Sequence, residues 1–302
     1  MVKSSYLKSI CALSLLLFIL GSLPSVSLAE NDPEKAKEMY NEGITAVKEG
    51  NNEKAILSYK TAIQLDPEFL DAYLNLGALY FKEKMYDDAQ EMFKKVVEKD
   101  SKNIDALANM GRVDFKLKRY PEAIESFNAA IALNANQADL YKELAKAYYS
   151  TNKYTEAAGT LEKSHELGGG DDYTYYLLGK SYQNLEKNNE AVAALKKALE
   201  LNGDNANANF ALGQIYLSQE KFVNAAGAFK AAHQSDPNKY LAMYNYAIAV
   251  ESNDPEAIDT NIKNWEDFIR LAKKNPRAKT VLAQAEQHVK ELKDRKEKLD
   301  IQ

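Results

Sequence analysis

The sequence predicts an all-α chain of stacked helix pairs, and three observations predict it. Small residues recur at Gly43, Gly77, Gly111, Ala145, Gly179, Gly213 and Ala247, each 34 residues after the last. A second set, Ala55, Ala89, Ala123, Ala157, Ala191 and Ala225, keeps the same step, with Tyr59, Phe93, Phe127, Leu161, Leu195 and Phe229 four positions on. Around both sets the apolar residues follow helical spacing: Tyr73, Leu76 and Tyr80 fall at i, i+3 and i+7, and Ala89, Phe93, Val96 and Val97 form a second face after a break at Lys84 to Tyr86. Two helices must cross closely where the small residues sit, and a leucine there would overpack the crossing. Length alone suggests about two domains, but a constant period over residues 36–276 argues for one continuous array in which each pair buries its apolar face on its neighbours.

The chain opens with Lys3 and Lys8, an eleven-residue apolar run from Ile10 to Leu20, and then Gly21, Pro24 and a Ser27-Leu28-Ala29 ending. This pattern reads as a secretory signal peptide over residues 1–29, cut after Ala29. The run is well short of the roughly 20 apolar residues of a spanning helix, so membrane contact is expected only through the uncut signal. Cys11 lies inside that run and is the only cysteine, so the mature chain is expected to hold neither disulfides nor thiolate metal sites. Loss of the two leader lysines takes the net charge from −5 to −7. An acidic surface is a poor match for nucleic acid. No N-x-S/T sequon occurs, which leans towards a bacterial envelope over a glycosylating secretory route. The expected address is periplasmic or secreted.

A short lead over residues 30–35 brings the chain to its first helix near Asp32-Pro33. Between repeats, Asp66-Pro67 and Asp236-Pro237 are expected to place a capping side chain ahead of a proline in the first helical turn. Gly168-Gly169-Gly170 reads as a helix C-cap, with a hinge as the alternative. In the last repeat the step from Ala247 to Phe268 is 21 residues, against 16 in the six before it, so five residues are inserted. The second helix there is expected to start early, with Asp254 as N-cap and Pro255 at its first position. Ile258, Ile262, Trp265, Ile269 and Ala272 then share one face, which makes the single tryptophan a packing residue. After Asn275-Pro276, residues 277–302 supply a terminal helix with Val281, Leu282, Ala285, Val289 and Leu292 on one side. Lysines, Arg295 and interleaved acids cover the other, as a solvated cap requires.

The stretch from Tyr73 to Phe93 reads Tyr73, Leu76, Gly77, Tyr80, Ala89, Phe93, which matches W-x2-L-G-x2-Y…A-x3-F with Tyr for Trp. In this it resembles the tetratricopeptide repeat family. The resemblance implies a right-handed superhelical solenoid of seven tetratricopeptide-like helix pairs plus a C-terminal capping helix. It also implies that first helices line a concave groove that binds extended partner segments. One place after each crossing residue stand Ile44, Ala78, Arg112, Lys146, Lys180, Gln214 and Ile248, so three cations stack in register at mid-array. Four places earlier come Tyr40, Leu74, Ala108, Lys142, Tyr176, Phe210 and Tyr244, on the same face by the i, i+4 rule.

The candidate partner-binding set is therefore Asn75, Asn109, Arg112, Lys142, Lys146, Tyr149, Tyr173, Tyr176, Lys180, Gln214 and Tyr244. Cations with aromatics and amides suit an acidic or carboxylate-bearing peptide. The alternative is that these lysines only solubilise a helix face. The family's carboxylate clamp for chaperone tails is not reproduced, because Tyr40 and Ile44 stand where its Lys and Asn would.

Chemistry is sparse. His165, His233 and His288 fall in different repeats or the cap, with no His or Cys at ligand spacing, and no phosphate loop, G-x-S-x-G or H-E-x-x-H occurs. No enzyme, metal or cofactor is expected. The functional expectation is a non-catalytic protein-protein interaction scaffold of bacterial cell-envelope assembly or secretion. The alternative is a structural or self-oligomerising repeat protein, a homo-oligomer with no separate peptide ligand.

Overall fold

The structure, a computed structural model, describes residues 31–301; the expected leader over residues 1–29, with Cys11, lies outside them. The described residues hold fifteen α-helices and no strand. They are α1 (Pro33–Lys48), α2 (Asn52–Leu65), α3 (Leu70–Lys82), α4 (Tyr86–Lys99), α5 (Ile104–Lys116), α6 (Tyr120–Leu133), α7 (Ala138–Ser150), α8 (Tyr154–Glu166), α9 (Asp172–Asn184), α10 (Asn188–Leu201), α11 (Ala206–Ser218), α12 (Phe222–Ser235), α13 (Tyr240–Asn253), α14 (Ile258–Ala272) and α15 (Lys279–Asp300), with one turn of 3-10 helix at Pro276–Ala278 before the last. The chain divides into two compact units, one ending at Ala106 and the other starting at Leu107. In each, helices pack as consecutive pairs on their chain neighbours.

The crossings explain the small residues. A Cβ placed on Gly77 would stand 2.7 Å from the Phe93 ring, one on Gly111 2.7 Å from Phe127, one on Gly179 2.6 Å from Leu195 and one on Gly213 2.7 Å from Phe229. The partner rings and leucines are at most 1 % exposed. Helix pairs thus approach to the limit that the side chain sixteen positions on permits, which is why only Gly or Ala occupies the first-helix site.

Each turn inside a pair repeats one geometry that composition does not announce. Gly50, Lys84, Lys118, Asn152, Glu186 and Glu220, again 34 apart, all have positive φ, from 57° to 77°. At Glu220 the motif is complete: its amide donates to the Leu217 carbonyl at 3.0 Å, and the Lys221 amide donates to the Tyr216 carbonyl at 2.9 Å. The same pair of bonds closes the turns at Lys84, Lys118, Asn152 and Glu186. Left-handed backbone favours glycine, yet five of the six sites carry a side chain. Glu220 also sets an acid against the negative end of α11. Glu220→Gly is therefore expected to raise stability by about 0.5–1 kcal/mol, strain relief exceeding the entropy cost of glycine. A lower melting temperature in the variant would refute this.

Between pairs, the Asp-Pro steps are corrected by the structure. Asp66, Asp236 and Asp254 close α2, α12 and α13 as C-caps, with φ −139°, −137° and −144°. Asp100, Asn134 and Asn202 close helices with the same extended φ and no proline after them, so the turn itself takes each aspartate out of helical backbone. Its carboxylate then accepts a turn amide, from Glu68 at 2.9 Å, Asn238 at 3.0 Å and Glu256 at 3.2 Å. The next helices begin later, at Leu70, Tyr240 and Ile258. The helix after the insertion thus does not start at Pro255, and Asp254-Pro255 is a turn. Asp32 alone behaves as expected: it caps α1, accepting from the Lys35 amide at 3.0 Å, with Pro33 in the first turn.

Leu167 caps the C-terminus of α8, and Gly168 follows it with φ +85°, its amide donating to the His165 carbonyl at 3.0 Å. At the far end, α15 seals the array: Ala285, Val289 and Leu292 are buried with Trp265, Phe268 and Ala247 in one core. Its basic side pairs with acids across the surface, Lys293 with Glu266 at 2.7 Å, Arg295 with Glu256 at 2.8 Å, and Lys296 with Asp259.

Candidate functional site

Six of the expected binding residues gather on α7 and α9, the first helices of two successive pairs in the second unit. Their spacing puts Lys142, Lys146 and Tyr149 on α7 beside Tyr173, Tyr176 and Lys180 on α9. Lys146 Nζ lies 5.6 Å over the Tyr173 ring, and the Tyr173 and Tyr176 rings are 6.4 Å apart. Burial pushes the Tyr176 hydroxyl above its usual range and does the same at Tyr149 and Tyr173. Tyr173 still leaves 45 % of its surface to solvent.

The cations differ in how they are compensated. Lys142 is bonded to Asp171, and Lys146 Nζ is 3.2 Å from Glu143 on its own helix. Arg112 donates to Asn109 Oδ1 at 2.8 Å. Lys180 donates to the Gln183 amide oxygen at 2.5 Å and pairs with no carboxylate among the described residues. Burial holds its ammonium below the ordinary lysine range. Lys180 is thus a half-buried cation with no counter-ion among the described residues, and its charge is unfavourable as it stands.

Asp171, absent from the sequence-level set, organises the strip. Its carboxylate accepts the Thr174 amide at 2.7 Å while Thr174 Oγ1 accepts the Asp171 amide at 2.9 Å, a reciprocal cap on α9. Burial pushes its carboxyl up, but the hydrogen bonds from Lys142 and Thr174 outweigh that and hold it below 3.8. The hydrogen bond that Lys142 donates to Asp171 in turn holds the lysine above 10.5. A lowered acid stabilises the fold above its unfolded value and loses that contribution as pH falls through the folded one; a raised lysine loses its contribution as pH rises through its own. The pair should therefore contribute in full between pH 3.8 and 10.5 and fade outside that window. Asp171→Asn is expected to flatten the acid limb of a stability-against-pH curve. An unchanged acid limb would show that the pair contributes nothing to folding.

The other expected residues stand apart. Gln214 on α11 is exposed. Asn75, in the first unit, donates to the Tyr40 hydroxyl at 2.8 Å and lines a 420 Å³ groove with Ile44, Tyr59 and Leu79. Tyr244 belongs to a cleft at the end of the second unit, its ring 5.4 Å from that of Trp265. His165 stacks on Tyr175 at 4.0 Å, and burial lowers its basicity. Among the described residues no helix is long and apolar enough to cross a membrane, and no cluster of three or more His, Cys, Asp or Glu is placed to hold a metal ion.

Comparison with family models matches a TPR repeat model to residues 45–84 and 111–152, and tetratricopeptide repeat models to residues 80–130 and 176–240. Comparison with curated proteins gives no match. Among solved structures, the chain is similar to MamA at 30 % identity, over 57 % of this chain and 94 % of that one, with a TM-score of 0.54. It is similar to YrrB, described as a TPR protein with an unusual peptide-binding site, at 22 % identity over 60 % of this chain and 93 % of that one, with a TM-score of 0.54. The C-terminal part of a TPR repeat-containing protein from Cytophaga hutchinsonii aligns over 79 % of this chain and 97 % of its own, at 17 % identity and a TM-score of 0.66. The last two likenesses show the fold alone.

Proposed function

Since this chain belongs to the tetratricopeptide repeat family, we propose that it is a non-catalytic scaffold that binds an extended, carboxylate-bearing segment of a protein partner along Arg112, Lys142, Lys146 and Lys180. One observation carries the reading: Lys180, part-buried and lacking a carboxylate, offers the charge that a partner's Asp, Glu or chain end would complete. Lys142 and Lys146 are positioned by Asp171 and Glu143, and the rings of Tyr149, Tyr173 and Tyr176 supply flat apolar contact beside them. The peptide-binding site ascribed to YrrB supports this by analogy of fold.

Residues 1–29 support export, and the scaffold is then a periplasmic or secreted component of bacterial envelope assembly or secretion. N-terminal sequencing of the exported product tests the compartment, and a product that begins at Met1 would contradict it. Capture from envelope extract tests the function: the chain should retain a partner that a Lys146→Glu/Lys180→Glu variant of intact helicity does not. Sedimentation as a discrete homo-oligomer that captures nothing would favour the self-assembling alternative.

A further inference from the structure

Away from the lysine strip, one other place brings ionisable and aromatic groups around open space. Glu251, near the end of α13, accepts a hydrogen bond from Trp265 Nε1 of α14 at 2.7 Å. Its Oε2 also lies 2.8 Å from His288 Nε2 of α15, and Oε1 lies 3.1 Å from the same nitrogen. The three side chains line a cleft of 330 Å³ completed by Tyr244, Ile248, Ser252, Gln284 and Ala285.

Two features of this cleft select a ligand. The first is charge. The Glu251 side chain is only 22 % exposed, and among the described residues no lysine or arginine lines the cleft and its one ion-pair partner is His288, a residue charged only when protonated. A carboxylate held in place by two donors, with lone pairs left over, makes the cleft a sink for positive charge. The second is the wall. The Tyr244 ring is fixed by edge contacts with Trp265 at 5.4 Å and Phe268 at 5.3 Å, so an aromatic surface stands beside the carboxylate. The volume lies at the small end of ligand sites, sized for one long side chain rather than a cofactor.

We propose that this cleft takes a single arginine side chain of a protein partner, its guanidinium paired with Glu251 and its plane against Tyr244. A guanidinium matches a carboxylate in fork geometry and stacks on rings, which an ammonium does not do as well. The site is independent of the lysine strip: it has the opposite charge and lies on α13 to α15, so either proposal stands if the other fails.

Trp265 is the only tryptophan of the chain, and its indole N–H ends on the carboxylate in question, so its emission reports the site directly. The full chain is titrated with acetyl-Ala-Arg-Ala-amide, with the Lys and Glu tripeptides as controls, by fluorescence and calorimetry. The arginine peptide is expected to give a saturable change in the millimolar range, the glutamate peptide none. Glu251→Gln should weaken binding by about tenfold or more while keeping an acceptor for Trp265. Should that variant prove misfolded by circular dichroism, Gln284→Phe fills the cleft without altering the carboxylate and should cause the same loss. Absence of saturable signal and heat with the arginine peptide, equal binding of the glutamate peptide, or wild-type binding in a folded variant would overturn the site. A lysine peptide that binds as tightly would overturn the assignment to guanidinium.

Discussion

Replacing Phe127 with alanine is expected to lower stability by about 3–5 kcal/mol, read as a shift of the urea midpoint followed by far-ultraviolet circular dichroism. Phe127 is fully buried, and its ring meets α5 where Gly111 leaves no Cβ in the way. Truncation removes the ring from water-free packing and leaves a void that the crossing can close only in part. Gly111→Ala fails in the opposite sense, since its Cβ would stand 2.7 Å from that same ring. Combined, the new methyl enters the space that the ring vacated, so the two changes should cost less together than their sum by about 0.5 kcal/mol or more. Strict additivity, or a loss below about 1 kcal/mol for Phe127→Ala alone, would show that this crossing does not set the geometry of the pair.

Partner affinity should fall by about 2–4 kcal/mol in Lys146→Glu/Lys180→Glu if the charges are desolvated in the complex. Most of the loss should come from Lys180. Lys146 already spends part of its field on Glu143 at 3.2 Å, whereas Lys180 has only an amide oxygen at 2.5 Å. A loss under about 1 kcal/mol would mean a wet rim contact. Calorimetry against the captured partner decides between them. Unchanged affinity with helicity intact would reduce the lysines to a solvated face and move the site to the apolar ends around Tyr40 and Tyr244.

Much of the fold was legible because a close crossing leaves a mark at fixed spacing: not even an alanine Cβ fits opposite Phe93, Phe127 or Phe229 without a shift, and the chain keeps a Gly or Ala at the crossing every 34 positions. The turns inside the pairs left no such mark. Lys84, Lys118, Glu186 and Glu220 carry positive φ, and nothing about a lysine or glutamate announces left-handed backbone; only Gly50 and Asn152 do. Asp254-Pro255 misled for a different reason, since the same dipeptide caps a helix at Asp32 and closes one at Asp254, and the choice rests on what packs after it.

The site divides along the same line. Register alone places Lys142, Lys146, Tyr173, Tyr176 and Lys180 together, and Glu143 could have been found three positions before Lys146 on the same helix face. Asp171 is 29 residues from Lys142 and sits in a turn where no period applies, so only the folded chain reveals that it neutralises one of the cations. Trp265 packs as its helical stripe predicts and is buried, but its N–H ends on Glu251, which also meets His288 from α15, contacts that no spacing in the sequence marks.

Packing of helices on their chain neighbours within each unit has a kinetic consequence. Contacts that span one pair require only short loops to close, so the barrier to forming any one pair is set locally and contains little of the chain-ordering cost that slows folds with distant strand pairing. Within each unit, folding can then start at more than one pair and spread by templating the next, while unfolding starts where a pair has a neighbour on one side only. Among the described residues of the second unit α15 has a neighbour on one side only, so its amides should exchange with solvent ahead of those of α9 and α10, although α15 is the longest helix of the described chain.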